Sequence, residues 1–411
     1  MRAAPLLWLA TSATLIQQAF AAYAKTVVPV IAPDMAAGLG VEPALTGAWV
    51  AIAALAGIPT TLFAGGLVRR YGPLRTSSAA TAVMAAGLAL GAVAPSGHSA
   101  ALALQALSAF IVGAGSTVST PASSHLLARL CPPRHAAMVF SIKQTGVPLG
   151  VAMAGALGPP LVHGFGWQGA LAASALMNLA LAALLEPLRG RFDDDRDPDA
   201  RVGLADMRAT LAGTLRHPGL RLMSFTSFIF VGLQITVQSF LVVQLVSRVG
   251  YDLALAGWVF SAATMVAIPA RIIWGWVGGA TDATRLLATF GGLMFASCAA
   301  LGLLPPAAPV WLSLSAAVAA SATALAWHGV LLAEVARMAP RGQVGAMTGG
   351  VLTFAGLGQI VLPGGFGALI AAGVGFPLAW PLVAAPALGA GWMIWRSRRA
   401  TGGGDGRGGE W

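Results

Sequence analysis

Long apolar runs fenced by charged residues set the pattern of this chain. About 20 apolar residues in a helix cross a bilayer once, and the runs divide on that scale. Arg2 to Asp34 holds one span with Lys25 inside it, and Glu42 to Arg69 holds a second. Arg75 to Arg129 holds two, breaking near Pro95-Ser96-Gly97, and Arg134 to Glu186 holds two more, breaking at His163-Gly164-Phe165-Gly166. After a hydrophilic stretch, Arg221 to Arg248 holds one span and Asp252 to Asp282 another, with Arg271 inside. Arg285 to Glu334 holds two, breaking at Pro305-Pro306, and Arg341 to Arg396 holds the last two. The pattern predicts an all-α integral membrane protein of twelve transmembrane helices. The first apolar run lacks the short core and small-residue cleavage site of a removed signal peptide, so it is expected to be the first helix.

The hydrophilic stretch, with FDDDRDPDAR at its centre, reads as a linker. The expected organisation is an N-terminal six-helix half over 1–188, a cytoplasmic linker over 189–220, a C-terminal six-helix half over 221–395 and a basic, Gly-rich cytoplasmic tail over 396–411. The halves echo each other. Ala128-Arg129-Leu130-Cys131-Pro132 returns as Ala336-Arg337-Met338-Ala339-Pro340, 208 residues later. Gly65-Gly66-Leu67-Val68 returns as Gly275-Trp276-Val277-Gly278, 210 residues later. Two parallel repeats suit a rocking carrier with its site at mid-membrane between them.

Composition agrees: 57% of the 411 residues are hydrophobic and 9% charged, with mean hydropathy +0.78. The net charge of +10 would suggest nucleic acid in a soluble protein. Here it follows from orientation. With both termini inside, twenty of the 24 lysines and arginines fall on the cytoplasmic side, as the positive-inside rule requires. The expected home is a plasma membrane, bacterial inner membrane in kind, with no nucleic-acid partner and a monomeric state. Cys131 and Cys298 are too few for a disulfide framework or a metal cluster, and scattered histidines offer no nucleophile–base pair. Neither an enzyme, a cofactor nor a metal is expected.

Three cations lie inside spans: Lys25, Lys143 and Arg271. An intramembrane charge costs at least about 2.5–3.5 kcal/mol and is a functional candidate by default. No acid sits at comparable depth, since Asp34, Glu186 and Glu334 lie near span ends. A buried cation is stable if it snorkels, loses its proton or meets an outside anion. Thr14, Gln18 and Lys25 share one helix face by their spacing of four and seven. Gln234 and Gln238, four apart in the seventh span, form another polar face able to hydrogen-bond a substrate or a neighbouring helix. Lys25, Arg271, Gln18, Gln234 and Gln238 are therefore the expected substrate-binding residues. Lys143 sits only a few residues from the cytoplasmic end of the fifth span, where snorkelling is easier, and is assigned to a gate or seam. So are Gly146 and Gly150, part of a small-residue track that lets another helix approach closely. His328 and Glu334 in the tenth span are candidate proton carriers.

The loop GGLVRRYGPLR resembles the signature loop of the major facilitator superfamily, with Gly65, Leu67, Arg70, Gly72 and Arg75 matching. In that family the loop is thought to latch the two halves in one state, which places Gly65, Arg70, Gly72 and Arg75 at the gate. The family's loop aspartate is replaced by Arg69, leaving a basic loop with no partner that the sequence names. Gly113 and Gly115 in the fourth span are similar to a second family motif, although Ala109 stands at its arginine position. Arg271 resembles the eighth-span arginine of the monocarboxylate and oxalate–formate branches, and Lys25 the first-span lysine of the former. The resemblance implies twelve helices in two pseudo-symmetric halves and a secondary transporter. Together with the unmatched cations it implies a small organic anion as substrate, with a coupled proton or an exchanged anion and the lipid bilayer as further partners. Drug or metabolite efflux in the same fold is the alternative, and a non-transporting membrane sensor a more distant one.

Overall fold

A computed structural model describes residues 3–41, 45–95, 99–200 and 202–402 of the chain. The first run forms α1 (Ala3–Val30), and α2 (Ala32–Leu39) continues it after a 53° bend. Pro33 opens α2, where a missing N–H leaves no bond unmade. Next come α3 (Leu45–Tyr71), α4 (Pro73–Ala92) and α5 (Ser99–Leu130). The turn between α3 and α4 rests on Gly72, whose φ of 91° lies in the region that glycine alone enters freely. The fifth span breaks into α6 (Ala136–Gln144) and α7 (Gly146–Leu185), and α7 turns again at Gly166, φ 68°. That second turn separates spans five and six inside one 60-residue apolar stretch.

Short α8 (Arg189–Phe192) and amphipathic α9 (Leu204–Arg216) lie in the linker. The second set comprises α10 (Pro218–Gln244), α11 (Leu253–Ala280) and α12 (Ala283–Gly302). It continues with α13 (Val310–Ala324), α14 (His328–Met338), α15 (Val344–Ala371) and α16 (Phe376–Gly402). Among the described residues nine stretches are long and apolar enough to cross a membrane, and the bent α1–α2 pair makes a tenth. Counting the two spans of the 60-residue stretch separately and adding the 20-residue α4 gives twelve. The architecture is an all-α integral membrane bundle.

Two of the apolar cores lie within one half each: one runs from Leu220 to Ile394 and another from Ala21 to Ala175, while a third joins residues of the first half to Leu332 and Ala333 of α14. The two sets interlock near the arginine-rich end through bare glycine surfaces. A Cβ at Gly65 would strike the backbone of Ala346, and one at Gly349 the carbonyl of Thr61. The hydroxyls of Thr61 and Thr353 hydrogen-bond at 3.1 Å across this seam. Ser141 fits against both Gly275 and Gly329.

Three expectations need correcting. The track through Gly146 and Gly150 faces α1 in the same half, where Leu15, Ala19 and Ala22 leave no room for a Cβ. The cross-half seam uses the other side of the helix, at Ala137 and Ser141. The linker is no plain polar loop, since it carries α9 and the seventh span begins at Pro218 rather than Arg221. The last helix continues through Arg396 to Gly402, so the tail predicted from 396 begins as helix, and 403–411 lie outside the described residues.

Candidate substrate site between the halves

The linker acids supply the partner that the basic loop lacked. Asp206 on α9 pairs with Arg69, and the Arg70 guanidinium donates to the Ala200 carbonyl at 3.4 Å. Asp193 receives the backbone N–H groups of Leu74 and Arg75 at 2.7 and 2.9 Å, capping α4 beside Gly72. Asp195 meets His125 at 2.7 Å and Arg129 at 2.6 Å, and Asp194 meets Arg129 at 2.7 Å. Burial opposes ionisation of Asp195, but the hydrogen bond and charge of His125 and the Arg129 guanidinium outweigh it and hold the carboxyl below its usual range. Burial wins at Asp193, raising its carboxyl despite the two N–H donors. α9 also reaches the other half, with Thr214 against Gly350.

Deeper in the molecule the cations are held differently. Lys143 is 1% exposed, and its ammonium donates to Gln18 Oε1 at 2.7 Å and Gln144 Oε1 at 3.3 Å. Thr120 on α5 donates to the same Gln18 oxygen at 3.1 Å. Arg271, 4% exposed on α11, donates from Nε to the Leu325 carbonyl at 2.7 Å and from Nη1 to the Gln144 carbonyl at 2.5 Å.

Local sequence explains those free carbonyls. In an unbroken helix the Gln144 oxygen would receive the N–H of residue 148, but that residue is Pro148 and has none. The tenth span breaks between Ala324 and His328, which leaves its last carbonyls without helix donors. Side chains take them: Trp274 donates to Ala322, Trp327 to Ala324 and Arg271 to Leu325. Arg271 thus lies at the C-terminal ends of α6 and α13, each carrying roughly half a unit of negative charge. His328 opens α14 just past this break, its ring 4.8 Å from that of Trp327 between centroids and tilted by 35°.

Of the predicted site residues, the structure brings together Gln18, Lys143 and Arg271. Lys143 belongs to this cluster and does not snorkel, because its side chain reaches Gln18 near the middle of α1. Lys25 stands apart. Seven residues from Gln18, it lies about 10 Å further along α1, half-buried and without a hydrogen bond or ion pair to any described residue. The structure thus links Lys143, rather than Lys25, to Arg271, through Gln144. Gln234 and Gln238 are half-buried, and the Gln234 Oε1 has no partner among the described residues. Glu334 is 4% exposed and locked to Arg337 on its own helix at 2.5 and 2.9 Å. Thr120 and Gln144 were missed in the sequence. Pro148, four residues on, was the signal that could have exposed Gln144.

None of the three intramembrane cations meets a carboxylate among the described residues. A cleft of about 1110 Å³ opens between the halves on the arginine-rich face, lined by Arg134, Asp282, Glu334 and Arg337. It includes Phe140, one turn of α6 short of Lys143, but none of Gln18, Lys143, Gln144 or Arg271.

A twelve-span bundle in two interlocking sets, with a polar cluster buried between them, defines a membrane transporter fold. The chain belongs to the Major Facilitator Superfamily, whose family profile matches residues 14–363. No curated protein matches it. Solved structures share the fold at low identity. The transporter FucP in its outward conformation is 17% identical, with TM-score 0.74 over 94% of this chain and 98% of that one. The human organic anion transporter MFSD10 is 14% identical, with TM-score 0.74 over 93% and 98%. A bacterial homologue of the iron transporter ferroportin is 12% identical, with TM-score 0.78 over 95% and 99%.

Proposed function

We propose that this protein is a secondary active transporter of a small organic anion, a carboxylate by preference, working by alternating access. The observation that carries this reading is the pair Lys143 and Arg271, both buried between the halves and both facing neutral oxygens only. A site of that kind keeps net positive potential and has a place for an anion. A guanidinium fork suits carboxylate geometry and stays charged at any working pH.

In this reading the arginine-rich face is cytoplasmic, the inner membrane of a bacterium is the setting, and the seam through Thr61 and Thr353 closes the cytoplasmic side. The two six-helix halves rock about the site, and a proton on His328 or a second anion completes the cycle. One structural relative bears the name of an organic anion transporter, which is compatible with the same chemistry here.

The test is uptake of labelled mono- and dicarboxylates into proteoliposomes, beside a thermal-shift screen with the same compounds, since a ligand of the folded state stabilises it. Saturable carboxylate uptake that is lost in Arg271→Gln supports the reading. Uptake of a neutral or cationic substrate only, or undiminished transport by Arg271→Gln, overturns it.

A further inference from the structure

Gln144 does something unusual for a single residue: it touches both buried cations, each with a different oxygen. Its backbone carbonyl accepts from Arg271 Nη1 at 2.5 Å, and its side-chain Oε1 accepts from Lys143 Nζ at 3.3 Å. Two oxygens of one residue, on its backbone and side-chain amides, thus face a guanidinium and an ammonium, the two charges that a carboxylate would seek. The carbonyl is available because Pro148 cannot donate to it, and the span breaks just after it, at Thr145. Gln144 also belongs to the first six spans and Arg271 to the second, so the bond between them crosses the halves.

We infer that Gln144 occupies the seat of the substrate carboxylate in the empty carrier. An entering carboxylate places one oxygen on Arg271 and the other on Lys143, displacing the Gln144 carbonyl and amide oxygen together. Gln18 keeps its hold on Lys143, and Leu325 keeps Arg271 within its own half. The exchange releases a tie between the halves, so loading the site frees the closed end to open. This inference rests on the organic-anion reading for its ligand, while the tie itself exists without any ligand.

Four variants of the protein test it. Gln144→Glu builds a carboxylate into the seat. Its melting temperature is expected to rise in the absence of ligand, and its affinity for acetate, lactate or succinate to fall at least about tenfold, the equivalent of 1.4 kcal/mol. Gln144→Ala removes the amide competitor for Lys143, and the same anions are expected to bind a few-fold more tightly. Pro148→Ala restores an N–H that competes with Arg271 for the Gln144 carbonyl while leaving every polar side chain in place. Its readout is disulfide formation between cysteines placed at Thr61 and Thr353, whose hydroxyls are 3.1 Å apart, in a background with Cys131 and Cys298 changed to alanine. Cross-linking of the empty protein is expected to fall severalfold in Pro148→Ala and Arg271→Gln, and to fall in the parent when a carboxylate is added but not with its amide analogue. Unchanged cross-linking in both variants overturns the tie, and parent-like anion binding by Gln144→Glu overturns the seat. If no carboxylate binds the parent, the organic-anion reading fails and the seat falls with it, while the cross-link of the empty variants still decides the tie.

Discussion

The chain holds its basic residues in two ways. At the arginine-rich face some of the cations meet carboxylates: Arg69 meets Asp206, and Arg129 meets Asp194 and Asp195. Between the halves Lys143 and Arg271 meet only amide and carbonyl oxygens. The difference is one of net charge. A carboxylate cancels a cation outright and leaves nothing for a ligand to gain. A ring of dipoles makes burial tolerable, with the ends of α6 and α13 doing most of it for Arg271, yet leaves the site able to attract an anion. The first arrangement fastens the linker in place. The second keeps a seat open.

The largest expected effect that would break this contrast is at Lys143. Changing it to methionine keeps the length and removes the charge. Losing one partner of a buried charge pair costs about 2–5 kcal/mol, so carboxylate affinity should fall by about 30-fold or more. Binding within a factor of two of the parent by calorimetry would show that the dipole-held cations do not draw the ligand.

The linker should answer instead to acid. Asp195 is held below its ordinary value, so its stabilisation is complete above the usual carboxylate range near about pH 4 and fades as pH falls through its folded value. Asp193 has the opposite sign: burial raises its carboxyl, so the folded state gains as that group takes its proton. Melting curves in detergent between pH 7 and pH 3 should therefore separate two neighbouring acids. Asp195→Asn flattens the loss of stability on acidification, whereas Asp193→Asn steepens it. Identical pH profiles for the two variants would remove the electrostatic distinction drawn here.

A smaller effect is expected at Arg69 and Asp206. The arginine is more than a third exposed, and exposed pairs couple by about 0.2–1 kcal/mol. A double-mutant cycle on Arg69→Ala and Asp206→Ala, read by melting in detergent, should return a coupling in that range. A charge exchange, Arg69→Asp with Asp206→Arg, should recover most of it. Coupling above about 2 kcal/mol would place this pair with buried charges rather than with surface ones.

The twelve spans, the repeat and the arginine asymmetry were legible because each rests on long stretches of sequence that bilayer thickness constrains directly. The site was only half legible. Lys143 looked peripheral because its distance from a helix end was counted along the backbone, and a lysine side chain ends several ångströms from its Cα. Gln144 looked ordinary because the feature that matters, a carbonyl stripped of its donor, belongs to Pro148 four residues later. The glycine track was real, but spacing tells which residues share a face and not which helix that face meets. Asp206 could not be matched to Arg69 from sequence because 137 residues separate them and no periodicity links a linker to a loop.

Lys25 offers the finest cut between the two ways of holding charge, since it shows neither. It shares a helix face with Gln18 by spacing, yet stands about 10 Å from it along α1, half-buried and with no partner among the described residues. A cation with neither a carboxylate nor a ring of carbonyls acts on an approaching anion through its field rather than by contact. Such steering raises association rates and weakens with ionic strength, because physiological salt screens charges from one another beyond about 8–10 Å. Lys25→Gln should accordingly slow carboxylate association about threefold at low salt, leave dissociation nearly unchanged, and approach the parent above about 0.5 M salt. Stopped-flow binding at two salt concentrations measures all three. A loss as large as that of Lys143→Met, insensitive to salt and expressed in dissociation, would move Lys25 into the seat itself and make the site a three-cation cradle.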